Sequence, residues 1–509
     1  RTRIRPADEP EKWKLFKTYN AGDVIAEQEI ERRLSPFPVP DAVQHQWETD
    51  LRINSRGVGL DLDLIHGALE CSDAVTGPLM DKARKLTGLD NPNSMAQVKS
   101  WMQKRGMDIS TLRKDDVAAL LDDDKLDPTV RRVLEIRQEL GKTSTKKYVA
   151  MQAAACKDGR IRGTLQFYGA NRTGRWAGRI IQPQNLPRTN IHGKMLDFAR
   201  ELVKARKIDA LKLIYGSVPD TLSQLIRTAL VPAPGNLFVD ADFSAIEARV
   251  VAWLARQQDT LDVFRRGEDI YCATASRMFG VPVKKHGVNG ELRQKGKIAT
   301  LALGYGGGTG ALVKMGALKQ GLTEDELPDI VQRWRESNPR IRDLWYKVEN
   351  AAVGCVRTGH PQGVNGLLFA MEGDQGTNQW FMTITLPSGR KLYYARPFVT
   401  PGQYNADALH YWGMNQTAHK WEVVDTWGGK LVENCVQAIA RDCLAENIER
   451  LETAGYPIVF HVHDEVIIDI ANEKADLDKV CQIMSQPIQW APGLPLNADG
   501  WVGTFYTKD

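Results

Sequence analysis

Ile458-Val-Phe-His-Val-His-Asp-Glu-Val-Ile-Ile-Asp-Ile470 holds two runs of β-forming residues, Ile458 to Val462 and Val466 to Ile470, around a polar centre, His463-Asp464-Glu465. Alternating and β-branched residues on both sides predict a tight antiparallel hairpin. Its turn lacks the Asn-Gly or Asp-Gly that two-residue hairpins favour. Adjacent carboxylates at a hairpin tip repel each other and gain little packing, so a cation belongs beside them, and a divalent metal is the economical choice. Two other readings stay open at this point. Asp-Glu at a turn is also ordinary solvated turn chemistry. His461 and His463, two apart on a strand, point the same way and could begin a zinc site.

The rest of the chain narrows the choice. At 509 residues it exceeds one ordinary core, so about three subdomains are expected. The composition is that of a globular protein without low-complexity bias, and the formal charge of +4 permits a basic groove without announcing one. The seven cysteines are scattered and form no C-x-x-C pair, which argues for a reducing compartment and against disulfides or structural zinc. No apolar run reaches membrane-spanning length and no signal peptide is present. The chain opens Arg1-Thr-Arg without a methionine, which reads as a fragment of something longer.

Residues 1–40 read as a helical stub closed by the Pro-rich break Ser35-Pro-Phe-Pro-Val-Pro40, and Trp47 to Gly57 as a helix stopped by glycine. From Leu60 to Ala155 the pattern is helical and charged. Two short helices are expected over Leu86 to Met107, joined at Asn91-Pro-Asn-Ser94, and one long helix over Val130 to Ala155 carrying Lys142, Lys146 and Lys147. These lysines suit a solvated face first and phosphate contact second. A strand is expected over Ile161 to Tyr168. It is followed by the basic, irregular segment Thr173-Gly-Arg-Trp-Ala-Gly-Arg179 and by Gln184-Asn-Leu-Pro-Arg188, whose arginines and amides suit phosphate and minor-groove contact.

Leu237 to Phe243 predicts a strand with Asp240 and Asp242 on one face. Ser244 and Glu247 form an S-x-x-E capping box opening a helix that buries Ile246, Val250 and Trp253. A carboxylate at a strand end before a helix, as at Asp242, usually has something to bind. Arg293 to Gly306 reads as one helix in which Arg293, Lys297 and Leu301 share a face and Tyr305 lies at its edge. Such a face, cationic, then apolar, then aromatic, matches a nucleotide's phosphates, sugar and base in order. Gly306-Gly-Gly-Thr-Gly310 is not a Walker loop, because no Gly-Lys-Ser/Thr follows. Strand pairs are expected between Arg357 and Gly429, for example around Pro387-Ser-Gly389, and a helix over Leu431 to Leu451 bearing Asn434, Gln437, Arg441 and Asp442.

Together these motifs resemble the polymerase part of family A DNA polymerases, the family of bacterial DNA polymerase I, and most of all its phage-encoded members. The resemblance spans roughly residues 41 to 505. It rests on Asp242 with Glu247 five residues on, on Arg293-x-x-x-Lys297-x-x-x-Leu301-x-x-x-Tyr305-Gly306, on Val462-His463-Asp464-Glu465, on Thr173-Gly174-Arg175, and on Gln437-x-x-x-x-Asp442. It implies an α+β right-hand polymerase fold with an antiparallel-sheet palm, helical fingers and a helical thumb. Implied boundaries are 1–40 for a C-terminal remnant of a 3′–5′ exonuclease-like domain, 41–157 thumb, 158–260 palm, 261–356 fingers and 357–509 the second palm segment. Tyr19 and Asp23 match only the third exonuclease motif, so no exonuclease activity is expected of this chain.

The resemblance further implies that Asp242, Asp464 and the Phe243 carbonyl hold two Mg²⁺ ions, with Asp464, Glu465 and Lys297 in catalytic roles. Arg293, Lys297, Leu301, Tyr305, Glu247 and Tyr271 would bind the nucleotide, Glu247 as a gate against a 2′-OH. Arg175, Gln437, His463, Asn185 and Arg188 would contact DNA. Partners would be primed DNA template, dNTPs and replication accessory proteins, with no membrane, for a monomer in the cytoplasm of a bacterial or phage-infected cell. Two departures stand out: Leu301 replaces the family's Phe or Tyr, and Asp269-Ile-Tyr271 replaces its Asp-Ile-His. The rivals are a zinc hydrolase, a non-catalytic DNA-binding module on the same fold, and a single-subunit RNA polymerase. Against the last, Glu247 as a gate argues for deoxynucleotides.

Overall fold

A computed structural model describes residues 5–107, 109, 111–112, 114–140, 145–402, 407–415 and 418–508. The chain divides into two units, a larger one of residues 49–350, 386–388 and 427–509 and a smaller one of 1–48, 351–385 and 389–426.

The larger unit is organised on a four-stranded antiparallel sheet whose strands run side by side in the order Ile458–Val462, Glu465–Ala471, Asn236–Phe243, Ala498–Gly503. The hairpin expected from the sequence supplies the first two. Every residue from Ile458 to Val462 and from Glu465 to Ile470 is buried, so both sheet faces are covered and the strands read as nearly continuous apolar runs. The Gly428–Thr453 helix packs on this sheet and on the Ile246–Ala255 helix, and the Leu477–Met484 helix packs beside it. Phe238, Phe460 and Tyr506 are buried in its core.

Preceding this sheet, the helical region has its own core of Val98, Trp101, Met102, Val130, Val133 and Leu134. Its boundaries differ from expectation in two places. Leu86 belongs to the end of a long helix, Leu62–Thr87; only the second expected short helix, Met95–Gln103, stands alone, with Ser94 Oγ accepting from the Gln97 amide as its N-cap. Within the Val130 to Ala155 stretch, the described residues are helical over Pro128–Leu140, which begins ahead of Val130, and over Lys146–Ala154. Lys142 lies outside the described residues. Lys147 Nζ donates to the Ile181 carbonyl at 2.8 Å, so it serves the fold.

The strand expected over Ile161 to Tyr168 is two strands. Gly163 takes a φ of 68° and breaks it. Arg160–Ile161 joins Val58–Leu60 and Leu230–Val231 in a small sheet, whereas Leu165–Ala170 pairs with Arg175–Gly178. Further on, the Ile270–Phe279 and Leu292–Leu303 helices lie in close contact: a Cβ on Gly296 would stand 2.3 Å from the Tyr271 carbonyl oxygen, so only glycine permits this approach.

The smaller unit contains the Pro10–Leu34 helix, none of whose residues is buried, and a six-stranded antiparallel meander from Gln362–Val364 through Trp421–Thr426. The strand pair expected around Pro387-Ser-Gly389 is present, with Thr385 opposite Lys391. Among the described residues, no helix is long and apolar enough to cross a membrane.

Candidate active site

The hairpin turn is two residues long, because Val462 pairs directly with Glu465. His463 fills its first position with a left-handed φ of 56°. That region is one His tolerates better than most side chains, at a modest cost in strain. Glu465, expected in the turn, is instead the first residue of the second strand and is buried; only Asp464 sits at the tip. Pairing fixes the neighbours: Glu465 stands opposite Asp242, and Asp242 opposite Asp499. Asp240, two residues along the same strand face, is buried.

These carboxylates have unequal partners. Asp242 Oδ2 accepts from Lys508 Nζ at 3.3 Å, while Asp242 Oδ1 is buried without a hydrogen-bond partner. Lys508 also pairs with Glu465, which accepts from the Tyr506 hydroxyl at 2.6 Å; Arg227 Nη1 in turn donates to the Tyr506 oxygen at 2.8 Å. Burial raises the Asp242 carboxyl above its ordinary value. Burial and the Asp242 charge push Asp464 up to about 7. Burial, with Glu465 and Asp242 nearby, lifts Asp240 well above the usual range. Burial is the main cause at all three, and repulsion within the cluster adds to it despite Lys508.

An unpaired, buried Asp242 oxygen, the Asp464 carboxylate and the neighbouring backbone carbonyls are hard oxygen donors and fit a magnesium-class ion. The Phe243 amide donates to the Asp464 carbonyl at 3.1 Å, which brings Phe243 backbone to the turn. Among the described residues no group of three or more His, Cys, Asp or Glu is placed to hold a metal, so an ion here would take its other ligands from backbone, water or substrate. The zinc reading fares worse. His461 is buried edge-on against Trp176 at 4.7 Å, and burial pushes its imidazole down to about 3. It serves the core.

Beside the turn opens a cavity of about 420 Å³. It brings together Arg175, Glu247, Tyr271, Leu301, Tyr305, His463 and Asp464, seven residues read from the sequence at widely separated positions. The expected capping box at Ser244 does not form. Ser244 is engaged by Asn497 through both its amide and its hydroxyl, and the chain enters the helix through Ala245, at φ 53°, with no side-chain cap. Glu247 is thereby free for the cavity. Its Oε1 accepts from Arg175 Nη2 at 2.6 Å and its Oε2 from the Tyr305 hydroxyl at 2.9 Å. Burial and the Glu247 charge raise the Tyr305 phenol well above its ordinary value.

On the Leu292–Leu303 helix, Arg293 donates to Asp269 at 2.9 Å, and its guanidinium lies 5.2 Å from the Tyr271 ring centroid. Lys297 Nζ lies 5.9 Å from the same ring, and Leu301 is 47% exposed. Tyr305 follows the helix end. Arg175 is steadied from behind: the buried Arg441 donates to the Gly174 carbonyl at 3.0 Å and stacks 4.3 Å from the Trp176 ring. Gln437 is half-buried and donates to Glu433 at 3.3 Å. Asn185 and Arg188 are exposed and do not line the cavity. Sequence reasoning missed Lys508, Tyr506, Arg227 and the cavity residue Arg277, whose Nε and Nη2 are buried without partners. None belongs to a motif, and only the fold brings them here.

Residues 75–358 match the model of DNA polymerase family A. The DNA polymerase of Bacillus phage SP02 is 49% identical over 511 residues, covering 100% of this chain and 77% of the phage protein. This chain belongs to DNA polymerase family A. The thermostable DNA polymerase I of Thermus aquaticus is 34% identical over 259 residues, which is 50% of this chain and 25% of that protein. In fold, the chain is similar to the POL domain of Pol1 from M. smegmatis, solved in complex with DNA primer-template and dNTP, with a TM-score of 0.59 and 19% identity over 91% of this chain and 69% of that one. The fold is thus the right-hand polymerase fold, α+β, and the protein is a DNA-directed DNA polymerase of the phage type. Within family A, the family match takes in Arg175, Asp242, Glu247 and the Arg293–Tyr305 helix face, while the hairpin and Gln437 fall inside the full-length phage match.

Proposed function

We propose that this polymerase extends a primer 3′-OH on a primed DNA template by two-metal-ion nucleotidyl transfer, in phage replication or in repair. The observation that carries the reading is the cavity itself. It sets Glu247, Leu301, Tyr305 and Tyr271 against Asp464, while Asp242 offers an unpaired oxygen on the neighbouring strand. Asp242, Asp464 and the Phe243 carbonyl would hold the two Mg²⁺ ions. When bound, the ions supply Lewis acidity for the attacking 3′-OH and charge stabilisation for the departing pyrophosphate.

The chain's own residues bind and orient. Arg293 and Lys297, with the Tyr271 hydroxyl, would take the triphosphate, and Lys297 would give a proton to the leaving pyrophosphate. Glu247, held by Arg175 and Tyr305, would close the sugar pocket against a 2′-OH. Tyr305 would stack near the templating base. Arg175, Gln437 and His463, with Asn185 and Arg188 outside the cavity, would read or steady the duplex, the first two from its minor groove. Residues 41–157 would serve as thumb, 158–260 and 357–509 as palm and 261–356 as fingers. The enzyme would act as a monomer in the host cytoplasm with replication accessory proteins.

Primer extension on a primed template, with dNTPs or rNTPs and with or without Mg²⁺, tests this reading. Extension is expected only with dNTPs and Mg²⁺; metal-independent extension would overturn the two-ion assignment. Glu247→Ala should admit rNTPs far more readily than Glu247→Gln. Equal ribonucleotide use by both would remove the gate role.

A further inference from the structure

Lys508 lies within the carboxylate cluster yet belongs to none of the motifs. Its Nζ donates to Asp242 Oδ2 at 3.3 Å and pairs with Glu465. Glu465 is fixed in turn by the Tyr506 hydroxyl at 2.6 Å, and Tyr506 by Arg227, which is itself buried and also donates to the Leu186 and Pro187 carbonyls at 2.7 and 2.8 Å. The ammonium is therefore part of a braced network and holds one oxygen of the carboxylate whose other oxygen, Oδ1, is buried and unpaired.

We propose that Lys508 is a built-in counter-charge that keeps the Asp242 site from binding a divalent ion tightly until a nucleoside triphosphate brings its own negative charge. This rests on the assignment of Asp242 as a metal ligand. The physical case is one of sign. A cation hydrogen-bonded to one oxygen of a carboxylate stands within a few ångströms of any ion on the other oxygen, where like charges repel strongly in a partly buried site. It also takes up carboxylate charge that would otherwise be available to the ion. A triphosphate adds several negative charges at once and outweighs one ammonium, so metal loading becomes coupled to nucleotide arrival. If Lys508 were merely structural, its removal would leave metal affinity unchanged or, by loosening Asp242, weaken it.

The probe is Mn²⁺ alone, bound to the whole chain without DNA or nucleotide and followed by electron paramagnetic resonance. Lys508→Met should tighten Mn²⁺ binding about tenfold relative to the unmodified chain. Lys508→Arg, which keeps the charge, should stay within about twofold, a change small on the tenfold scale of 1.4 kcal/mol. At saturating dNTP, the Mg²⁺ dependence of primer extension should shift far less in Lys508→Met than the binary affinity does. Unchanged or weaker Mn²⁺ binding in Lys508→Met overturns the proposal, as does equal tightening in Lys508→Arg. Thermal unfolding confirms that each variant is folded, and Lys508→Gln provides a second neutral variant if the Met form is not. Asp242→Asn in the Lys508→Met background separates the two levels. Loss of the gained affinity leaves the metal at Asp242; persistence of it would overturn the metal assignment itself rather than the role of Lys508 alone.

Discussion

Asp242 and Asp240 lie two residues apart on one strand and share a face but differ in depth and in partners, which makes them a test of what position does to a carboxylate. Asp242→Asn or Asp464→Asn should lower nucleotide incorporation by about 10³-fold or more, the several kcal/mol that metal-held charge stabilisation supplies. Primer–template binding should stay nearly intact, because the loss falls in the transition state. Near-normal turnover in either variant sinks the metal pair. Asp240 is buried and does not line the cavity, so Asp240→Asn should be much milder in the same assay. Leu301 is the other residue whose environment sets an expectation. It is 47% exposed and lines the cavity, offering bulk but neither a flat ring nor a hydrogen bond to a sugar. Strong discrimination against dideoxynucleotides is expected, and Leu301→Tyr should relax it by one to two decades, about 1–3 kcal/mol. Single-nucleotide incorporation kinetics for matched dNTP and ddNTP pairs decide this; an unchanged ratio would mean that Leu301 does not face the sugar. Most of these residues were legible because ordered motifs fixed their identity. Lys508 and Arg277 were not, because a lone cation has no sequence signature until the fold gives it neighbours.

Elements were legible where periodicity and stop signals agreed, as in the Ile458–Val462 and Glu465–Ala471 hairpin and the Leu292–Leu303 helix. They were misread where a local rule met a stronger tertiary demand. Ser244 and Glu247 satisfy the capping-box pattern, but Asn497 claims the serine and Arg175 with Tyr305 claims the glutamate. Gly163 interrupts a run that alternation alone reads as one strand. The same sensitivity makes the contact between the Ile270–Phe279 and Leu292–Leu303 helices testable. With 2.3 Å between a Cβ at position 296 and the Tyr271 carbonyl oxygen, Gly296→Ala must push the helices apart, at about 1–3 kcal/mol for an overpacked contact. Tyr271, Arg293 and Lys297 would then separate. The expected outcome is a higher KM for dNTP, with a lowered Tm and little change in primer–template affinity. An unaltered KM beside a lowered Tm would confine Gly296 to packing.

On the scale of the whole molecule, the site is a place where the larger unit gives up stability. Asp240, Asp242 and Asp464 all have carboxyls raised above their ordinary values, so the folded chain holds protons there that the unfolded chain releases near pH 4. The sign follows from proton counts. For Asp464, raised from 3.8 to about 7, the stabilising contribution is fully present below about pH 4 and is lost as pH climbs through 7, because the unfolded state then binds fewer protons than the native one. Asp464→Asn removes that titration. In chelator, the variant should match the unmodified chain near pH 4 and exceed it by about 1–3 kcal/mol at pH 8, part of the limit set by the shift once solvent access and coupling are allowed for. Some pH dependence will remain in the variant, since Asp240 and Asp242 titrate in the same sense. Mg²⁺ at concentrations well above its weak nucleotide-free affinity should then raise the Tm of the unmodified chain at pH 8 and do little for Asp464→Asn, because an ion that binds only the native site stabilises by mass action. Thermal melts from pH 4 to 8, each with chelator or Mg²⁺, measure both effects. Melting curves that run parallel for the two proteins across this range would mean that Asp464 is ionised and adequately paired without a metal, and the electrostatic demand for an ion at the hairpin tip would disappear with it.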